Sequence, residues 1–399
     1  MRLVSIAQES TSEVVRLVGK VETRETPEPI DLYFEFASRY ADFVAPLADP
    51  FAVALLMPAM AAHEPLEIVP PLSEALVFNL PQIRDIFHTW YPDFARVELN
   101  TCSRRGDTSS PVLRAATFFS GGVDSFYTLL KRRKHEPLPA PLTHAIFMHG
   151  VEQDLEESRG VGESQRWVEQ IAAQTGVECI IGTTNFRTHF PSGWMYYWER
   201  YYFGSVLAAL GLALGNGLGY ICIPSSFSYR HQVAHGSTPL VDERYSTERT
   251  RVIHDGGEAT RAQKVARILE WDRALVLKHL RVCIRNQGGA YNCGRCYKCV
   301  RTGIALRATG VWKEAQTFPD KSTEHWARTA VHDHLVLTEE NLTLARECGQ
   351  DGDLIRLLDR VVRKQRRNSA MNVYVRNSPL EHLRPFARCA RRWISWRRA

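Results

Sequence analysis

The chain has 399 residues, 44% hydrophobic and 24% charged, an ordinary globular balance with length for two to three buried cores. No apolar run reaches the ~18 residues of a membrane span. At the N-terminus, Met1-Arg2-Leu3-Val4-Ser5 meets Gln8 and Glu9 before a signal-peptide core forms, so a cytoplasmic protein is expected. Net charge is +6, but 12 Lys/Arg against one acid from Arg360 onward leave the preceding residues at −5, so the basic character belongs to the tail.

Residues 1–112 read as an N-terminal α+β domain for recognition or support. Short apolar runs (Leu3 to Ile6, Val14 to Val18, Leu32 to Phe36, Glu67 to Val69, Arg96 to Leu99) predict strands. Asp49-Pro50 marks a helix start, with Pro58 expected to end or kink it. A second helix begins at Ser73 and carries a stripe of Leu76, Leu80, Ile83 and Phe87. The polar, turn-prone Ser103 to Pro111 reads as a linker.

Residues 113–330 then alternate strands and helices. Strands are predicted at Ala115 to Phe119, Ala145 to Met148, Cys179 to Ile181 and Tyr220 to Ile223. Helices are predicted at Asp124 to Lys131, Ser164 to Thr175 and Trp194 to Leu214. This α/β pattern predicts a parallel sheet covered on both faces, with ligands at the carboxyl ends of its strands.

Between the first of these strands and its helix lies Ser120-Gly121-Gly122-Val123-Asp124-Ser125. Paired glycines let backbone N–H groups approach an anion, and the helix N-terminus adds its positive dipole end. Ser120 and Ser125 offer hydroxyls to phosphate, whereas Asp124 repels it unless Mg²⁺ intervenes. An ordinary Gly-Gly turn capped by Asp is the alternative. Downstream, Cys283, Cys293, Cys296 and Cys299 form a C-x9-C-x2-C-x2-C array, a complete thiolate set for a structural Zn²⁺. An iron–sulfur cluster is the competitor. Arg295, Lys298 and Arg301 are expected to offset its negative charge.

The hexapeptide resembles the SGGxDS signature of the PP-loop ATP-pyrophosphatases. With Cys-Gly-x-Cys-x-x-Cys behind it, residues 113–305 are similar to 7-cyano-7-deazaguanine synthase and its relatives, some of them in anti-phage defence systems. The resemblance implies a sheet of about five parallel strands carrying a zinc knuckle. It implies that Ser120, Gly121, Gly122, Asp124 and Ser125 hold ATP pyrophosphate, with Val123 and Met148 completing the nucleotide site. It also implies AMP-forming ligase chemistry in which 7-carboxy-7-deazaguanine becomes an acyl adenylate and ammonia attacks it. Where the family has Asp-Tyr-Gly-Gln, this chain has Met148-His149-Gly150-Val151-Glu152-Gln153-Asp154. That departure and the extra N-terminal and C-terminal segments leave the carboxylate and the amine open, a protein amine included. tRNA thiolation through Cys179 or Cys222 and a non-catalytic nucleotide-binding scaffold are the rival functions.

Further candidates come from loops on the same sheet edge. Arg261 and Lys264 begin a helix and are expected to neutralise pyrophosphate as it leaves, a catalytic role shared with Asp124. A solvated helix face is the plain alternative. Substrate-pocket candidates are His149, Asp154, Ser225, Ser226, His235, Asp242 and Glu248, the last three in a long polar stretch without predicted structure. The extension 331–399 reads as helical and basic. From Leu380 it forms an amphipathic helix bearing Phe386, Cys389, Ala390, Trp393 and Ile394. It is suited to docking on the acidic body or a protein partner, and less to nucleic acid or a membrane surface.

Overall fold

The computed structural model describes residues 1–106, 112–151, 155, 158–190, 198–283, 291–319, 325–326, 330, 333–349 and 351–376. The chain forms two compact units. The first comprises residues 1–282 with 286–291 and 315–317, and the second takes the remainder from Cys283 onward.

The first unit is built on one mixed, mostly parallel sheet of ten strands. Its N-terminal strands are β1 (Arg2–Ser10), β2 (Val14–Glu22), β3 (Ile30–Ala37), β4 (Leu66–Ile68) and β6 (Leu99–Thr101). β5 (Leu72–Ser73) and β7 (Arg104–Arg105) pair separately. The later strands are β8 (Ala115–Phe118), β9 (Leu142–His149), β10 (Glu178–Thr184), β11 (Tyr220–Pro224) and β12 (Arg251–Asp255), in the sheet order β12-β11-β8-β9-β10-β3-β2-β1-β4-β6. The five from β8 onward are all parallel. The order reverses between β8 and β11, and that reversal opens the crevice where ligands of such sheets bind.

The expected boundary at residue 112 does not divide the structure. β3 continues the sheet by pairing antiparallel with β10, through Thr183↔Glu35 and Thr184↔Phe34. One hydrophobic core runs from Leu3, Val15 and Phe34 through Ile146 and Ile180 to Ile221 and Val252. An open parallel sheet ending at β10 would leave a row of unpaired backbone groups; β3 covers them. The second unit starts at Cys283, well before the expected 331.

Helices α1 (Asp49–Ala62) and α2 (Glu74–Trp90) cover the N-terminal strands. α1 runs through Pro58 instead of stopping there, and its residues from Asp49 to Met60 are all buried. Packing on every side outweighs the lost backbone bond. α2 starts where expected, with Ser73 Oγ accepting from Leu76 N, and buries Leu76, Leu80, Ile83 and Phe87. In the parallel half, α3 (Val123–Leu130) follows β8 and α4 (Ser158–Thr175) follows β9. α5 (Phe203–Ala213) precedes β11 and α6 (Arg261–His279) follows β12. β12 has no counterpart in the sequence reading. Of the long helix expected from Trp194 to Leu214, residues 194–197 lie outside the described residues, Trp198–Tyr202 form a π-helical turn, and Phe203–Ala213 are α-helical.

The second unit holds α7 (Tyr297–Ala308), α8 (Leu335–Cys348) and α9 (Gly352–Arg376). Trp326 is buried against Gly303, where an added Cβ would lie 2.9 Å from the indole. Arg307 to Asp351 at 2.6 Å ties α7 to the start of α9. Among the described residues, no helix is long and apolar enough to cross a membrane. The tail residues Phe386, Cys389, Ala390, Trp393 and Ile394 lie outside the described residues.

Candidate functional site

The Ser120–Ser125 loop sits at the carboxyl end of β8, beside the sheet's reversal. Phe119 N still donates to Ile146 O at 2.8 Å, holding the strand to β9 until one residue before the loop. Gly121 then takes φ +76, a left-handed value that favours glycine. Space demands glycine as well: a Cβ there would stand 1.8 Å from Trp167 Cη2 of α4. The loop is fixed from a second side by Arg281 N, which donates to Gly121 O at 3.0 Å. Gly122 is the N-cap of α3 and carries no side-chain cap. Its carbonyl accepts from Phe126 N at 2.9 Å and from Ser125 Oγ at 3.0 Å. The first-turn N–H groups of α3 therefore face the crevice mouth without a competing cap, beside exposed Ser120.

Asp124, Arg261 and Lys264, 137 to 140 positions apart in sequence, come together here. Arg261 Nη1 lies 2.8 Å from Asp124 Oδ2, and Lys264 Nζ lies 3.3 Å from Asp124 Oδ1. Both cations are on the first turn of α6, which Thr260 and Gln263 start with a reciprocal capping box. Lys264 is 1% exposed and donates to Ser225 O at 2.5 Å. Burial pushes its pKa below the ordinary lysine value, while the Asp124 charge pulls it back up. Asp124 thus has both carboxylate oxygens on cations.

The remaining candidates divide. Ser225 follows β11 and Asp242 lies in a short 3-10 turn. Both are fully buried, and His254 of β12 joins them: Nδ1 is 2.7 Å from Asp242 Oδ2 and Nε2 is 2.9 Å from Ser225 Oγ. Ser226 is half-buried beside them, and His235 contacts Ser237 and the rings of Phe203 and Phe227. Met148 and His149 end β9, both half-buried, and Gly150 turns the chain at φ +87. Glu248 is not with them. It accepts from Ser73 Oγ and Ala75 N, both at 2.7 Å, so its carboxylate serves the start of α2. A cavity of about 480 Å³ beside it, lined by Tyr220, Glu243, Glu248 and Arg251, is at the amino ends of β11 and β12, the opposite end from the Ser120–Ser125 loop. Asp154 lies outside the described residues. His254, Trp167 and Arg281 are absent from the sequence reading; the Val252-Ile253 pair before His254 was the one available strand signal.

In the second unit, the Sγ atoms of Cys283, Cys293, Cys296 and Cys299 all lie within 4.8 Å of one another, a set that could hold a metal such as zinc. Cys296 and Cys299 sulfurs are 3.4 Å apart, and Cys293 and Cys299 are 3.9 Å apart. A tetrahedron with Zn–S of about 2.3 Å has edges of about 3.8 Å, close to these two separations. Gly294 at φ +65 makes the knuckle, and Arg295 N and Cys296 N point at Cys293 Sγ from 3.4 and 3.3 Å. The bond from Cys296 and then burial raise the Cys299 thiol far above the ordinary value. A divalent cation reverses that penalty by binding the thiolates. Arg301 is not available to balance this charge, because it is buried and paired with Asp333 at 2.8 Å.

No protein-family model, no curated protein and no solved structure matches this chain.

Proposed function

We propose that the protein is a PP-loop ATP-pyrophosphatase that activates a carboxylate as its adenylate. A carboxylate oxygen attacks the α-phosphorus of Mg·ATP, the bond to the β-phosphate breaks, and pyrophosphate leaves. An amine nitrogen then attacks the acyl carbon, AMP leaves with the bonding pair, and the nitrogen loses a proton. The observation that carries this reading is the convergence of Asp124, Arg261 and Lys264 on an uncapped, glycine-shaped helix N-terminus at the sheet's reversal. Pyrophosphate is where negative charge accumulates, and prearranged cations and N–H groups stabilise it most effectively there. Ser120, Gly121, Gly122, Val123 and Ser125 would cradle the phosphates. Asp124 would exchange its cations for the nucleotide's Mg²⁺, freeing Arg261 and Lys264 for the leaving group. Met148 and His149 would face the nucleotide or substrate. The four cysteines would hold Zn²⁺ as a structural ion.

The substrate class follows the sequence resemblance: 7-carboxy-7-deazaguanine or a close relative, with ammonia or a protein amine as the acceptor in a defence setting. Thiolation is the weaker reading on one observation. Burial pushes the Cys179 thiol up to about 12 and Cys222 higher still, whereas a sulfur carrier needs an accessible thiolate. Incubation with Mg·ATP, 7-carboxy-7-deazaguanine and ammonia should yield AMP, pyrophosphate and the amide or nitrile, resolved by mass. AMP formation indifferent to every carboxylate offered would refute adenylation. The loss of all ATP turnover in Asp124→Asn would separate an enzyme from a scaffold.

A further inference from the structure

The proposed adenylation makes no use of three buried groups behind the phosphate site. Ser225, His254 and Asp242 have the composition of a hydrolytic triad, but the hydrogen count gives them a different task. The Ser225 hydroxyl has one proton, and it points at Phe227 O from 2.5 Å, an atom that can only accept. His254 Nε2, 2.9 Å from the same hydroxyl oxygen, must therefore donate to it. Nδ1 shares a hydrogen bond of 2.7 Å with Asp242 Oδ2, which also accepts from Ser237 Oγ at 2.6 Å, so the ring is held from both nitrogens. Ser225 is fully buried with its proton committed, so it is no nucleophile.

The seat for this hydrogen-bonded pair is built to shape. A Cβ on Gly204 would stand 2.6 Å from Asp242 Oδ1 and 2.4 Å from Gly236 O. On the far side, the peptide of Ser225 is clamped twice. Its N–H donates to Asp255 O at 2.7 Å, and its carbonyl accepts from Lys264 Nζ at 2.5 Å. The chain of contacts thus runs Asp242, His254, Ser225, Lys264, Asp124.

We propose that His254, paired with Asp242, is a positioning residue that fixes the Ser225 peptide so that its carbonyl holds the Lys264 ammonium against Asp124. It touches neither nucleotide nor substrate. Its effect on turnover rests on the adenylation reading, whereas its effect on Lys264 does not, so the two are measured separately. In the full chain, Ser225→Ala keeps the carbonyl and removes the hydroxyl, and His254→Gln keeps a donor near Nε2 but loses the bond to Asp242. Both are expected to lower the turnover number for AMP formation by about 10- to 100-fold, as supporting partners of a reactive group do, with little change in KM for ATP. Activity that falls only in proportion to the folded fraction would mean a structural role and overturn the proposal.

Side-chain nitrogen NMR of the selectively labelled full chain supplies the second readout. A Lys264 ammonium signal that moves in both Ser225→Ala and His254→Gln is expected. An unmoved Lys264 signal overturns the proposal. If the wild type forms no AMP, the adenylation reading fails and the NMR result alone decides the role of His254.

Discussion

Gly121→Ala probes the phosphate loop through two costs that can be separated. The first is local: an L-residue held at φ +76 costs about 1 kcal/mol. The second is steric. The new methyl would start 1.8 Å from Trp167 Cη2 and 2.1 Å from Cζ3, where carbon atoms rest at about 3.5–4 Å. Something must move by nearly 2 Å, and the indole is 3% exposed, with no open side to swing into. The limit is expulsion of the ring, which costs about 3–5 kcal/mol, so the variant should lose roughly 3 kcal/mol or more of local stability. In a Trp167→Ala background the clash vanishes and about 1 kcal/mol remains. The expected interaction energy between the two sites is therefore about 2–3 kcal/mol, at the top of the range for contacting residues.

Because the chain has two compact units, a single global melt is a poor reporter, and hydrogen exchange of the peptide spanning β8 and α3 reads the opening directly. ATP titration of the same proteins should show binding lost in Gly121→Ala and partly restored in the double variant. Equal exchange penalties in both backgrounds would refute the contact as the reason for glycine.

Lys264→Met should reduce AMP formation by about 10²–10³-fold, the usual loss on removing one electrostatic stabiliser, and should also cost about 1–3 kcal/mol of stability, because Asp124 keeps only Arg261 and the buried Ser225 carbonyl loses its donor. Retained turnover would remove Lys264 from the site. Glu258 is held down to about 2: burial works against this, but bonds from Lys131, its own N–H and Tyr127 prevail. A depressed carboxylate adds stability above its unfolded value of 4.5 that drains away as pH falls toward 2. Its side chain is 36% exposed, so Glu258→Gln should cost only about 1 kcal/mol at pH 7 and flatten acid unfolding across that window. Metal analysis should find one zinc per chain and no visible iron–sulfur absorption. A strong chelator should expose four further thiols to a thiol reagent, and unchanged thiol counts would refute a metal on the four cysteines.

What the sequence disclosed is what short-range chemistry encodes. Ser120 to Ser125 are contiguous, so their loop and helix start were readable, and two-residue gaps announced the cysteine set. α2 could be read because Ser73 and its stripe at Leu76, Leu80, Ile83 and Phe87 are a local signal. Arg261 and Lys264 were selected for their place at a helix start, but only the fold brings them to Asp124. Glu248 shows the reverse. A lone acid in a polar stretch looked like a substrate ligand, and its partner proved to be the start of a helix 173 residues away. β12 was missed because five residues between polar stretches give no alternation, and His254 was missed with it. Pro58 misled because helix propensity is a weak prior, and burial around α1 overrides it.

The continuity of the sheet across residue 112 bears on where substrate selectivity resides. A detached N-terminal domain could have been a tether, free to recognise a partner without affecting the chemistry. Instead Tyr33 N donates to Asn185 Oδ1 at 2.9 Å, Asn185 Nδ2 donates to Asp31 O at 2.8 Å, and β3 lies alongside β10. Tyr91 OH donates to Ala234 O at 2.7 Å, and its ring meets Tyr201 edge-on at 4.6 Å. Ala234 adjoins His235, in the loop that leads to Asp242. The N-terminal segment therefore braces the loops that end β10 and β11, which flank the Ser120–Ser125 loop on the proposed function's pocket side. On the proposed function, a change there would act on the pocket through these contacts, so selectivity would be shared by the N-terminal segment and the loops after β10 and β11.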